Sequence, residues 1–255
     1  NKALRPGTIP ATPEDLHIEQ ALAREIVRTL VVESRAGWGI PPDAGLPAFD
    51  PIIGAGAILT EAQHPGMSAL LLLDALQPEG VTELQLDPAN LVSAAGVIAY
   101  LKPLITVQVL ESGGLLRLGT AFCPSGQIRA GRTAMHVQVQ PDDGPVMNHT
   151  VKSRDVWLAP VLPGVAARVT VRLHGGLTIG GKRRVRQRVV AGAAGIIFDA
   201  RGRPLALPHP RDRAARLLRW QAAMGAQDAP LTPDRAAPAP PPAIPAEESA
   251  DVVLS

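Results

Sequence analysis

Residues 50–87, DPIIGAGAILTEAQHPGMSALLLLDALQPEGVTELQLD, decide how the chain is read. Ile52 and Ile53 form a short apolar segment that runs straight into Gly54-Ala55-Gly56. Without a Cβ, a glycine lets backbone come close to whatever lies against it. His64-Pro65-Gly66 breaks the chain, and the spacing of Met67, Leu70 and Leu71 predicts a helix over 67–76. Leu72, Leu73 and Leu76 make that helix apolar nearly all round, which predicts burial. Pro78-Glu79-Gly80 ends it, and Val81, Leu84 and Leu86 mix with polar residues as a half-buried strand. A strand feeding Gly-x-Gly and then a helix is a common nucleotide-contacting arrangement. The dinucleotide fingerprint needs a third glycine, and position 59 is Leu59. Two readings of the turn stand: contact with a ligand, or close packing on a neighbour.

The 255 residues allow one large domain or two small ones, and 46% hydrophobic residues supply sizeable cores. Aromatics are only 3%, so the cores are expected to be aliphatic, and the composition argues against a stacking platform for single-stranded nucleic acid. A net charge of +2 implies no strong overall pull toward nucleic acid or membrane. The single Cys123 rules out an intrachain disulfide and fits a reducing, cytoplasmic setting. No apolar run approaches the roughly 20 residues of a membrane-spanning helix, and no signal peptide is evident. The opening at Asn1 reads like the middle of a protein, so a fragment or a processed C-terminal piece is expected.

Upstream of the organising stretch, NKALRPGTIPATP is extended. Thr12 reads as an N-cap with Pro13 at the first helical position, and the helix runs to about Glu33. Ile18, Leu22, Ile26 and Leu30, with Ala23 and Val27, form an apolar stripe expected to pack on a core. Residues 35–50 are a Gly/Pro-rich loop. Asp87-Pro88 opens another helix through Leu101, with Leu91, Ala94, Ala95, Ile98 and Leu101 inward. Beyond Leu104 the chain reads as short strands: 105–110, 115–122, 135–140, 156–159, 167–173, 185–190 and 195–199, separated by Gly/Pro turns. That density predicts an antiparallel barrel or sandwich. DARGRP (199–204) is a turn, and His209 to Met224 a last helix with Ala214, Leu217, Leu218 and Gln221 on one face. The expected division is 1–104, an α/β portion; 105–208, a β-rich domain; 209–227, a C-terminal helix; and 228–255, a Pro/Ala-rich disordered tail.

Several further constellations have a plainer reading beside the functional one. GLTIGGK (176–182) has P-loop spacing, but Arg183 stands where a hydroxyl is needed and no helix follows. In KRRVRQR (182–188), Arg184, Arg186 and Arg188 share one strand face, as a solvated surface or a site for an acidic partner. The six histidines show no HxxxH spacing, so no metal site is identified. His64, just past the glycine turn, reads as a loop histidine or a ligand contact. Asp74, in an apolar helix, needs a partner or solvent, and either a structural hydrogen bond or a ligand contact would supply it. Asp87 is a second candidate for a polar role, and Cys123 reads as a small buried hydrophobe.

Taken in order, NKALRPGTIPATPEDLHIEQALAREI, IIGAGAIL, HPGMSALLLLDALQPEGVTELQLD, LKPLITVQVLESGGLLRLGT and IIFDARGRPLALP resemble the C-terminal half of the glutamate mutase accessory family, the GlmL or MutL-like proteins. The resemblance spans about residues 1 to 225. It implies an actin-like (ribonuclease H-like) fold for the α/β portion, as in heat-shock chaperone ATPases. It also implies an ATP-dependent chaperone that reactivates adenosylcobalamin-dependent mutases, with a mutase as protein partner and no nucleic acid. Gly54, Ala55 and Gly56 then take the place of the adenosine motif and bind ATP, with His64 beside them. No residues here resemble the acidic, Gly/Thr-rich phosphate motif, so this chain alone is not expected to hydrolyse ATP, and no catalytic residue is assigned. The alternative is a non-catalytic structural or assembly module whose β-rich domain and proline-rich tail bind a protein partner.

Overall fold

The structure, a computed structural model, describes residues 10–41, 46, 49–206 and 209–225. In chain order the elements are α1 (Pro13–Ser34), β1 (Ile52–Ala55), α2 (Ala57–Thr60), α3 (Pro65–Leu76), β2 (Gly80–Asp87), α4 (Leu91–Leu101) and α5 (Pro103–Glu111). There follow β3 (Leu116–Cys123), β4 (Thr133–Pro141), β5 (Met147–Lys152), β6 (Val156–Ala159), β7 (Ala166–Leu173), β8 (Arg184–Val190), β9 (Ile196–Asp199) and α6 (Pro210–Ala223). The stretch expected to be disordered, 228–255, lies outside the described residues.

The strands form two sheets and no closed barrel among the described residues. One is mixed, in the order β1-β2-β3-β9-β6; the other is antiparallel, β5-β4-β7-β8. The five-stranded sheet joins β1 and β2 to strands from beyond residue 104, through the antiparallel pair β2–β3. One of its faces carries Phe122, Ile196 and Phe198 against Met135, Val137, Val169 and Val171 of the second sheet. The other carries Leu84, Leu86, Leu118 and Ile197 against the α3 leucines and Trp220 of α6. The mixed sheet is therefore a middle layer between helices and a second sheet. β3 serves both cores by means of a bulge: Leu84 pairs with Gly119 and Gln85 with Arg117, leaving Leu118 as the extra residue. The slip leaves Leu118, Ala121 and Cys123 in the helix-side core while Phe122 joins the sheet–sheet core.

Local chemistry explains most boundaries. Thr12 accepts from the Asp15 amide at 3.1 Å and Asp15 accepts from the Thr12 amide at 3.2 Å, a capping box that starts α1. Thr12→Ala is expected to lower stability by about 1 kcal/mol or less, since only α1 loses a cap; urea unfolding measures this. His64-Pro65-Gly66 opens α3 rather than breaking the chain before it: His64 is the N-cap and Pro65 the first helical residue, where its missing N–H leaves no gap. Gly180 and Gly181, at φ +54° and +74°, make a two-residue turn closed by paired Ile179–Lys182 hydrogen bonds of 3.0 Å, and β8 follows it. The P-loop spacing is thus a hairpin turn.

Four expectations fail. Residues 105–110 are helical, within α5, not a strand: Pro103 starts the turn, and Thr106 Oγ1 donates to the Ala95 carbonyl at 3.2 Å, holding α5 on α4. Of the residues read as inward on α4, Ala95 alone is buried, and Leu101 is 72% exposed. The α1 stripe also faces mostly outward, with Ile18 66% and Leu30 55% exposed, although its Ala23 packs on the helix-side core. α1 instead meets α3 through a flank that buries Gln20 and Val31. Periodicity shows that a stripe exists but not what lies against it. Finally, the sheet–sheet core is not purely aliphatic: Phe122, Phe198, Trp157 and His149 stack in series, with centroids 5.1, 5.3 and 4.2 Å apart.

Candidate functional site

β1 and β2 run parallel, with Gly54 opposite Leu86 and Ala55 opposite Asp87. Their carboxyl ends therefore share one edge, the place where open α/β sheets receive ligands. Gly56 terminates that edge at φ +97°, ψ 147°, a conformation close to glycine-only territory. Its carbonyl accepts from the Leu59 and Thr60 amides at 3.0 Å, which starts α2 immediately after the strand. A Cβ at Gly56 would meet nothing within 4 Å, and Ala55 beside it is exposed.

Gly54 plays a different part. A Cβ there would lie 2.9 Å from Leu59 Cδ1 and 3.3 Å from both Leu72 Cδ2 and Leu86 Cδ2. Its missing side chain lets those leucines close over the strand, and that packing holds the turn at the sheet edge. Asp87, fully buried, accepts from the Leu91 amide at 2.7 Å and the Val92 amide at 2.8 Å. Its charge sits at the positive end of α4 and satisfies two otherwise unpaired amides.

His64 is half-buried at the start of α3, makes no capping bond, and has an enclosed Nε2 with no hydrogen-bond partner. Its neighbour Gly66 packs on the end of α6, where a Cβ would fall 1.8 Å from the Met224 carbonyl oxygen. The structure therefore brings Gly54, Ala55, Gly56 and Asp87 to one edge, whereas His64 begins the segment packed on α6.

A second polar centre is built on buried side chains, Asp74, Asp199, Arg201 and Arg203. Arg201 reaches Asp199 Oδ1 through Nε at 2.9 Å, Asp199 Oδ2 through Nη2 at 2.8 Å, and Asp74 Oδ1 through Nη1 at 2.5 Å. Arg203 Nη2 donates to Asp199 Oδ2 at 2.9 Å, and Arg24 approaches Asp74 at 3.4 Å. The Arg201 guanidinium also lies 5.1 Å from the Trp220 ring centroid. Burial by itself raises the Asp199 pKa, but the charges and hydrogen bonds of Arg201 and Arg203 outweigh it and hold the carboxyl well below the usual range. Asp74 thus has the structural partner its position demanded. Nearby, burial pushes the Cys123 thiol up to about 12, so it stays protonated and behaves as a small apolar group.

The residues that sequence reasoning missed are Asp199, Arg201 and Arg203, read only as part of a turn. The available signal was the Asp-x-Arg-x-Arg spacing directly after the apolar strand IIF, taken with a carboxylate stranded in an apolar helix. A cavity of about 360 Å³ between α1, α3 and α6 borders this centre, with Arg24, Asp74 and Trp220 in its lining, and an apolar one of about 330 Å³ is lined by Trp38, Phe49 and Ile52. Among the described residues no group of three or more His, Cys, Asp or Glu could hold a metal ion, and no helix is long and apolar enough to cross a membrane.

No curated protein and no solved structure matches the chain. The family model described as MutL protein matches residues 1–113, which contain the glycine turn, Asp87 and every element from α1 to α5. Over those residues, 113 of the 255, the chain is similar to the MutL protein family, the family its sequence resembles.

Proposed function

We propose that this chain is part of an accessory, reactivase-like factor for an adenosylcobalamin-dependent mutase, and that it supplies the adenosine side of a nucleotide cleft. The family match over residues 1–113 supports the accessory role. The observation that carries the nucleotide reading is Gly56, open on its outer face at the carboxyl edge of a parallel strand pair. The fit is to a purine and ribose lying against backbone: Ala55 and Gly56 offer a surface without bulk, and Gly54 keeps that surface in place by packing inward. When bound, ATP would supply a difference in affinity between two domain arrangements, and that difference would drive engagement and release of the partner.

The test is calorimetry with ATP and ADP on the protein and on Ala55→Glu. A Gly54 substitution would cut into the leucine core, and any side chain at Gly56 would strain the backbone; Ala55 is exposed, so a carboxylate there blocks the surface without either fault. Binding weakened at least about tenfold by Ala55→Glu, at an unchanged melting temperature, supports the assignment. Equal binding by both proteins places adenosine elsewhere, and no binding by the parent protein removes the nucleotide role from this chain. ATP turnover by this chain that Ala55→Glu abolishes would contradict the expectation of an incomplete site.

A further inference from the structure

The outer face of the β5-β4-β7-β8 sheet is covered by no described element, and its charge has one sign. Strand alternation sends Ala167, Val169 and Val171 inward and Arg168, Thr170 and Arg172 outward. On β8, Arg184, Arg186 and Arg188 are likewise exposed. The register sets Arg172 directly opposite Arg184 and Arg168 directly opposite Arg188. On β4 the outward residues are His136, Gln138 and Gln140, paired across to Arg172, Thr170 and Arg168. No carboxylate occupies an outward position on these three strands; Asp142, beyond the end of β4, pairs with Arg188 at the margin.

A merely solvated face would not be built this way. Like charges directly opposite on neighbouring strands are destabilising, and ordinary surfaces intersperse the two signs. The crowding is felt at Arg184, whose pKa is lowered first by Arg186, then by desolvation and by Arg172. Protection of a free sheet edge explains charge on β8, which is an edge strand. It does not explain Arg168 and Arg172, which sit on the interior strand β7. At the end of the same sheet, His136 meets His174 edge to face at 4.7 Å. His174, Arg129 and Arg132 line an open cavity of about 880 Å³, so the basic surface continues past the strand ends.

We infer that this sheet face, centred on Arg168, Arg172, Arg184 and Arg186, is a docking surface for an acidic protein segment. The arrangement favours carboxylates in three ways. Guanidinium groups match the planar carboxylate fork with paired hydrogen bonds. Successive outward arginines on one strand stand about 6.7 Å apart, the same-face repeat of another extended chain. Gln138, Gln140 and Thr170 add neutral donors and acceptors between the charges. Nucleic acid is disfavoured because no outward residue of β4, β7 or β8 is Phe, Tyr or Trp, and the ring of His136 at one end of the face is no platform for successive bases. The inference does not depend on the nucleotide reading, which concerns other residues.

The experiment is fluorescence anisotropy of labelled poly-L-glutamate, with single-stranded DNA, duplex DNA and phosphatidylserine vesicles titrated in parallel. The variant is Arg172→Thr/Arg184→Thr/Arg186→Thr. A charge-matched control removes Arg28, Arg211 and Arg213 as serines, all exposed and on other elements. The expected result is polyglutamate binding that falls about tenfold in the sheet variant and less than twofold in the control. The melting temperature of the sheet variant should be equal or higher, because repulsion has been relieved. Equal losses in the two variants, no polyglutamate binding, or tighter binding to DNA or to vesicles would each overturn the proposal.

Discussion

Asp199→Ala lowers the unfolding free energy by about 3–5 kcal/mol, the cost of leaving buried charge uncompensated. Asp199 is the shared partner of Arg201 and Arg203, whose side chains are 0% and 3% exposed. Without it Arg201 keeps one carboxylate, Asp74, and the Trp220 face, and Arg203 keeps carbonyl acceptors from Pro78 and Gly202 but no carboxylate among the described residues. Neither guanidinium can lose its proton, and neither can reach water without opening the junction of α3, β9 and α6. Urea unfolding at pH 7 gives the number. Replacing the whole set by apolar residues of similar volume would cost far less, because the pairing offsets a desolvation penalty of its own making.

The same carboxyl makes stability depend on acid. Its folded pKa is depressed relative to the unfolded value of roughly 4. A depressed pKa means that the unfolded chain takes up the proton first as pH falls, so the Asp199 contribution is present above about pH 4–5 and is lost progressively below that. Asp199→Asn has no such proton to bind. Its unfolding free energy should be lower than that of the parent at pH 7 and should fall less steeply between pH 5 and pH 3. Parallel slopes in that window would assign acid sensitivity to other carboxylates.

This centre shows where sequence reading stops. Asp74 was legible as a carboxylate in need of a partner, because an apolar helix leaves it no solvent. Its partner, Arg201, lies 127 residues away, and no local pattern joins them. Short-range chemistry was far more readable. Thr12-Pro13 begins a helix, and Pro78-Glu79 lies between α3 and β2, with Gly80 opening the strand. Strands 156–159 and 167–173 fall within a residue of β6 and β7, because glycine and proline turns leave few ways to place the segments between them. The β-branched run ITV misled for a related reason: β propensity reflects fit to a pleated, half-buried surface. At 105–107 a start at Pro103 and contact with α4 supply a helical alternative instead.

The candidate site divides along the same line. That Gly54-Ala55-Gly56 ends a strand was legible from IIGAG alone. That one glycine faces leucines and the other faces open space was not, since it depends on where Leu72 and Leu86 fall in three dimensions. Exposure was the least readable property. The stripes on α1 and α4 have regular spacing, yet the sheet offers its helix-side face to α3 and α6.

The sheet–sheet core should respond most sharply at Phe198. Its ring stacks between those of Phe122 and Trp157 at 5.1 and 5.3 Å, and its side chain is fully buried. Phe198→Ala removes the middle of that series and leaves a cavity in the sheet–sheet core between the two flanking rings. The expected loss is about 3–5 kcal/mol, combining transfer free energy with the unfilled volume. Phe198→Leu keeps most of the volume but not the stacking, and should cost about 1–2 kcal/mol. Trp157 provides an independent readout: near-ultraviolet circular dichroism should weaken in both variants, because the indole loses its stacked neighbour on one side and keeps His149 on the other. A Phe198→Ala protein with parental stability and an unchanged indole signal would mean that the two sheets do not meet through this stack. Residues 120–122 of β3 pair with 196–198 of β9 in parallel, and β3 also pairs with β2, the strand whose carboxyl edge carries Asp87. A core that loosens at Phe198 should therefore also weaken amide-exchange protection in β2 and β3, whereas α3, whose leucines pack in the other core, should stay protected, and that contrast separates a local cavity from general destabilisation.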